Sequence, residues 1–221
     1  MKILFLSICL FLSTALLAEK NKWVLLEKEN KIQLYSGTKD INDIYPYKAR
    51  VWVPFTIPEI FAVFIDTKRK HQWIPRLKTS WAEDVPNNKA SRIEYAEVLM
   101  PFPFDNREVL VQVDTIIEGS LDKIRLHCRS VQNDRIIKKG NIRALVYPSN
   151  LTLTWDETKK ETLLEVVSFT DPQGYIPTWV VNLFQKSEAL TMAQALIKQL
   201  KKKLYSDEEI ERIRRNLKEL K

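Results

Sequence analysis

Glycine is scarce in this chain, four among 221 residues. The phosphate-cradling loops that depend on it are missing: there is no G-x-G-x-x-G, no G-x-x-x-x-G-K-[ST] and no G-x-S-x-G. Histidine is scarcer still. His71 and His127 stand 56 positions apart with no Cys or His partner at metal-ligand spacing, which argues against a zinc site. Cysteine is limited to Cys9 and Cys128. His127 and Cys128 are adjacent, but neighbours on a strand point to opposite faces, so they make a poor thiol–imidazole dyad. No repeat, low-complexity tract or Gly/Ser linker divides the chain, and it reads as one domain.

Long apolar runs occur once. Lys2 precedes ILFLSICLFLSTALL, which ends in Ala18 before Glu19 and Lys20. A positive start, an apolar centre and a small final residue describe a secretory signal peptide, residues 1–18. The other reading is an uncleaved anchor, for which the run falls short of the roughly 20 apolar residues a spanning helix needs. Cleavage removes Cys9, leaves no internal disulfide, and lowers the formal charge from +7 to +6 by loss of Lys2. The mature chain then reads as exported, either periplasmic or secreted.

Alternation of apolar residues predicts strands over 32–36, 45–53, 81–84, 91–99, 108–117, 123–131, 136–147, 151–156 and 163–169. Their separators, among them PNN, EGSLD, QND and PSN, are turn-like, as antiparallel neighbours require. Thr56 with Glu59 three residues on predicts a capped helix carrying Ile60, Phe61, Val63 and Phe64. Pro177 opens a second helix of about 28 residues, with Ile176, Trp179, Val180, Leu183, Phe184, Leu190, Ala193, Ile197, Leu200 and Leu204 on one stripe. Ser206, followed by D-E-E, caps a final helix with Ile210, Ile213, Leu217 and Leu220 on one face. The class is α+β: a curved antiparallel sheet wrapped around the long C-terminal helix.

Two segments stand out. MPFPFDNREV, residues 100–109, sets Phe102 and Phe104 between prolines, which bars them from a sheet interior. From Lys186 onward ten Lys/Arg oppose six acids, a balance that suits a solvated helix face before it suits an anionic surface. Basic residues are otherwise spread out and aromatics follow apolar patterns, which disfavours nucleic acid as a partner. Glu94 and Glu97 fall on opposite faces of one strand, and no carboxylate pair is poised for acid–base work. Glu108, beside Arg107, reads as half of a structural ion pair.

Three motifs, FAVFIDTKRKHQW (61–73), PFDNREV (103–109) and above all DPQGYIPTWVVN (171–182), resemble the START family of lipid-transfer domains, particularly bacterial members. The likeness runs from about Trp23 to Lys203. It implies a helix-grip fold enclosing an elongated apolar cavity for one lipid, with a lid formed by the C-terminal helix and strand loops. It implies no metal and no cofactor. The arginine that relatives place in the cavity six residues beyond the Arg-acid pair is Val113 here, and Glu108 replaces the usual aspartate of that pair. Glu94 stands where a steroid-binding relative can carry a partner acid.

From the expected inner faces, Tyr95, Val111, Trp155, Val167, Trp179, Leu183 and Leu190 are the candidate ligand contacts. Phe102 and Phe104 are the candidate gate, covering the tunnel or touching a bilayer during exchange; the alternative is that both rings simply pack on the C-terminal helix. The domain then spans 19–205, with 206–221 a helical extension. Its expected partners are a lipid or other hydrophobic small molecule and, transiently, a membrane surface. Two rival readings stay open: an enzyme on the same scaffold using Glu94 or Glu108, and a docking module using the basic C-terminal helix.

Overall fold

Tyr47, Ala49, Val51 and Val53 are all buried and the residues between them are not, the period-two signature of a half-buried strand. That strand is the third of twelve among the described residues. The computed structural model describes residues 22–29, 31–40, 42–119, 121–131 and 140–220. Its strands before the first helix are β1 (Val24–Glu29), β2 (Ile32–Ser36) and β3 (Tyr47–Val53). Helix α1 (Ile57–Ile65) and a 3-10 turn at Lys70–Gln72 follow. Next come β4 (Leu77–Val85), β5 (Asn88–Val98), β6 (Arg107–Glu118) and β7 (Lys123–Ser130). Two short strands, β8 (Ile142–Arg143) and β9 (Leu145–Val146), precede β10 (Ser149–Asp156), β11 (Glu161–Ser168) and β12 (Thr170–Asp171). The chain closes with α2 (Thr178–Leu200) and α3 (Asp207–Glu219).

The expected α+β architecture is the observed one, but the sheet order is not a simple meander. Neighbours run β1-β2-β3-β11-β10-β7-β6-β5-β4, so β3 pairs with β11 and β7 with β10 across long stretches of chain. Helix α1 replaces a hairpin between β3 and β4, freeing β3 to meet a later strand. β8 lies parallel to β6 just beyond the end of β7, and β9 pairs with β12. Strand β1 was not expected: most of its VLLEKE residues are exposed, so no alternation marks it. Of the strand expected over 136–147, residues 136–139 lie outside the described residues, and the rest forms β8 and β9.

Both caps form as their sequences dictate. The Glu59 carboxylate accepts from the Thr56 N–H at 2.7 Å and from its hydroxyl at 2.6 Å. At α3 the Glu209 N–H donates to Ser206 Oγ at 3.2 Å and Ser206 N–H to Glu209 Oε2 at 2.8 Å. Helix α3 does not project. Its Ile213 and Leu217 are buried in the common core, with α1 as the neighbouring helix.

Helix α2 is 23 residues rather than 28, and its two halves differ. Ala193, Leu196 and Leu200 are buried in the core, whereas only Val181 is fully buried in the first half. Among the described residues no helix is long and apolar enough to cross a membrane.

Candidate functional site

A cavity of about 400 Å³ lies between α2 and the concave face of the sheet. From α2 it is lined by Val181, Phe184, Gln185, Glu188, Ala189 and Met192. From the sheet come Tyr47, Val98, Val109, Leu151, Leu164 and Val166, and from the segment after α1 come Lys70, Trp73, Ile74 and Arg76. Met100, Arg107, Pro172 and Ile176 border one end.

The loops at that end are built by the two motifs around them. Asp171 Oδ1 accepts the Gln173 N–H at 2.8 Å, turning the chain after β12. Gly174 follows at φ +72°, and a Cβ there would lie 2.9 Å from Ile142 Cδ1 and 3.3 Å from an Arg107 terminal nitrogen. Only glycine satisfies both constraints. Arg107 reaches into the turn, donating from Nε to the Pro172 carbonyl at 2.7 Å and from a terminal nitrogen to that of Gln173 at 2.8 Å. Its other terminal nitrogen bonds the Asp105 carbonyl. Asn182, one turn into α2, accepts the Tyr45 N–H at 3.0 Å and donates to the Asp43 carbonyl at 3.0 Å. Its own carbonyl accepts the Tyr47 hydroxyl at 3.1 Å.

None of the seven expected ligand contacts is among the lining residues, and the reasons differ. Tyr95 and Val167 sit on the outer face of the sheet, one residue out of phase with Glu94 and Val166. Tyr95 stacks on Trp81 at 5.3 Å and donates to Glu108 Oε2 at 3.2 Å. Val111 and Trp155 are on the inner face but beyond the cavity. Val111 belongs to the core, and Trp155 turns its Nε1 to Glu157 at 2.6 Å. Trp179 and Leu183 point outward, 71% and 60% exposed, because Val181 and Phe184 hold the inner side of α2. Leu190 packs on the core beside the lining Ala189.

The gate pair divides. Phe102 is 98% exposed, and Phe104 is half-buried outside the lining. The expected Arg107–Glu108 ion pair is corrected: as strand neighbours the two diverge, and Glu108 is held instead by Arg143 at 2.7 Å on the outer face. His127 and Cys128 diverge likewise, with His127 Nδ1 at 2.9 Å from Asn150 Oδ1.

Charge inside the site comes from residues the sequence pattern did not mark. Lys70 lies in a K-R-K-H run that reads as surface, yet its side chain is only 8% exposed and its Nζ is 2.5 Å from Glu94 Oε2. Burial holds the Lys70 ammonium below its ordinary pKa, opposed by the attraction of Glu94. Arg92 also pairs with Glu94, so this acid has two cationic partners. Arg76 pairs with Glu188 of α2 and places its guanidinium 4.9 Å from the Phe184 ring centre. Burial, and after it the negative charge of Glu94, pushes the inner-face Cys128 thiol up to about 12.

A curved sheet closed over an apolar cavity by a long helix defines a domain of the helix-grip class. The chain belongs to the START domain family, whose model matches residues 7–204. It is 24% identical over 180 residues to the bovine phosphatidylcholine transfer protein, covering 80% of this chain and 83% of that one. The human phosphatidylcholine transfer protein is 27% identical over 170 residues, 75% of this chain and 77% of that one. The fold is similar to that of a STAR-related lipid transfer protein from Xanthomonas axonopodis, with a TM-score of 0.71 at 19% identity over 81% of this chain and 98% of that one. Human STARD10 gives a TM-score of 0.72 at 17% identity, over 81% and 73%. The family match ends at residue 204, before α3 begins.

Proposed function

We infer that this chain is an exported bacterial carrier that binds one lipid or similar hydrophobic molecule in its cavity and passes it to or from a membrane, without catalysis. The observation that carries the reading is the apolar cavity itself, enclosed by the sheet and α2. Its volume lies within the range of small-molecule sites, and each methylene hidden there is worth about 0.8 kcal/mol. The resemblance to proteins named for phosphatidylcholine transfer points to a phospholipid. In the lining Lys70 is neutralised by Glu94 and Arg76 by Glu188, whereas Arg107 bonds carbonyls, and the positive charge it leaves favours a ligand with an anionic oxygen.

Exchange takes place at the end bordered by Met100, Pro172 and Ile176. There Phe102, Tyr175, Trp179 and Leu183 leave large apolar surfaces exposed, which suits contact with a bilayer interface. The acids that an enzyme on this scaffold would use are tied elsewhere, Glu94 to Lys70 and Arg92, and Glu108 to Arg143 and Tyr95. Ile213 and Leu217 of α3 are buried in the core, so a docking role would rest on its charged face.

The test is mass spectrometry of the intact protein, beginning at Glu19 and purified gently from its native host, followed by analysis of its organic extract. One lipid per chain is the expected result. A protein that stays empty after incubation with that host's membranes ends the carrier reading.

A further inference from the structure

Trp73 is 7% exposed and lines the cavity, yet its indole Nε1 has no hydrogen-bond partner among the described residues. Buried indole N–H groups ordinarily find an acceptor, because the loss of water is otherwise uncompensated. The ring packs edge-on against Phe64 at 5.8 Å and 88°. Three residues along the same wall, Arg76 also lines the cavity. Its terminal nitrogen is engaged by Glu188, but its Nε is likewise buried and unpartnered. Two N–H donors on one short segment beside the cavity thus lack an acceptor. A pure hydrocarbon ligand would leave both unsatisfied.

Building on the carrier reading above, we propose that Trp73 Nε1 and Arg76 form a donor pair that holds an acceptor oxygen of the bound ligand. This subsite is separate from the Lys70–Glu94 pair, whose charges already satisfy one another. It selects lipids with an oxygen-bearing polar group against hydrocarbons, and it places that group against the 73–76 wall, under Phe184 of α2. Phosphate oxygens and ester carbonyls share the required chemistry.

The experiment uses ¹⁵N-labelled protein beginning at Glu19, incubated with vesicles of diester phosphatidylcholine and phosphatidylglycerol or, separately, with vesicles of their dialkyl ether analogues. Lipid uptake is counted by mass spectrometry, and the indole N–H resonance of Trp73 is followed by NMR. On uptake that resonance is expected to move downfield. A shift with both vesicle types assigns the acceptor to phosphate; a shift with diester lipid alone assigns it to an ester carbonyl. Trp73→Phe, which keeps the ring and removes the donor, is expected to retain lipid about fivefold less well. Uptake of lipid with an unmoved Trp73 resonance overturns the subsite and leaves the carrier reading standing. Absence of uptake from either vesicle type overturns both.

Discussion

Arg107 Nε lies 2.7 Å from the carbonyl oxygen of Pro172, 65 residues away in sequence. With its bonds to the Gln173 and Asp105 carbonyls, this one side chain joins the proline-phenylalanine loop to the turn that starts α2. Both loops border the same end of the cavity, so Arg107 makes that rim a single unit. A planar fork suits three carbonyls arranged around it, and a lysine ammonium does not.

Arg107→Lys is therefore expected to lower unfolding stability by about 1–3 kcal/mol, the scale of lost hydrogen bonds to a charged group. Urea denaturation measures it. An unchanged midpoint would show that the loops hold together without the fork.

Glu108 is fully buried on the outer face of the sheet, with Arg143 as its cation. Arg143→Met removes that cation and should cost about 3–5 kcal/mol. The double variant Arg143→Met, Glu108→Gln should recover much of the loss, since the buried charge goes with its partner. A double-mutant cycle by chemical denaturation reads the coupling.

The raised Cys128 thiol makes a kinetic prediction. With a pKa of about 12, its thiolate fraction at pH 8 falls about three orders of magnitude below that of an ordinary cysteine. Alkylation by iodoacetamide at pH 8 should thus be slow in the folded chain from Glu19 and fast in urea. Equal rates in the two states would contradict the burial.

Leu217 of α3 is 1% exposed and joins the common core. Leu217→Ala is expected to destabilise by about 2–5 kcal/mol, and ending the chain at Tyr205 should lower the melting temperature at least as far. A neutral result for both would return α3 to the status of an appendage.

Asp66 offers a pH dependence. Burial works against its ionisation, but hydrogen bonds from Arg69 and Tyr205 outweigh it and hold the carboxyl below its usual 3.8. The folded state therefore favours the carboxylate. The stability it contributes is fully present above about pH 4 and is lost as pH falls through the depressed folded value. Wild type should exceed Asp66→Asn in urea resistance at pH 7, with the gap narrowing at pH 3.

The periodic segments made most of the strands and both capped helices legible, because alternation, caps and turn residues act over a few neighbours. β1 escaped because an edge strand buries little and need not alternate. The candidate site was far less legible. Val166 and Val167 are chemically identical, and which of them faces the cavity depends on pairing with β3 and β10, distant in sequence. Trp179 and Leu183 share an apolar stripe with Phe184, yet only Phe184 faces inward, since the rotation of α2 is set partly by the bonds of Asn182. Lys70 and Trp73 carried a family likeness but no sign of lining anything.

By itself, then, the sequence determined most of the elements, the α+β class, the Asp171–Asn182 lead-in to α2 and the loop that holds Phe102 out of the sheet. These follow from local backbone preferences that act wherever the chain goes. Only the tertiary structure decided the order of the strands, the inward face of each, the burial of Lys70 against Glu94 and the docking of α3. Each of those depends on a partner brought in from far along the chain, and the strand period of two allows either face until that partner arrives.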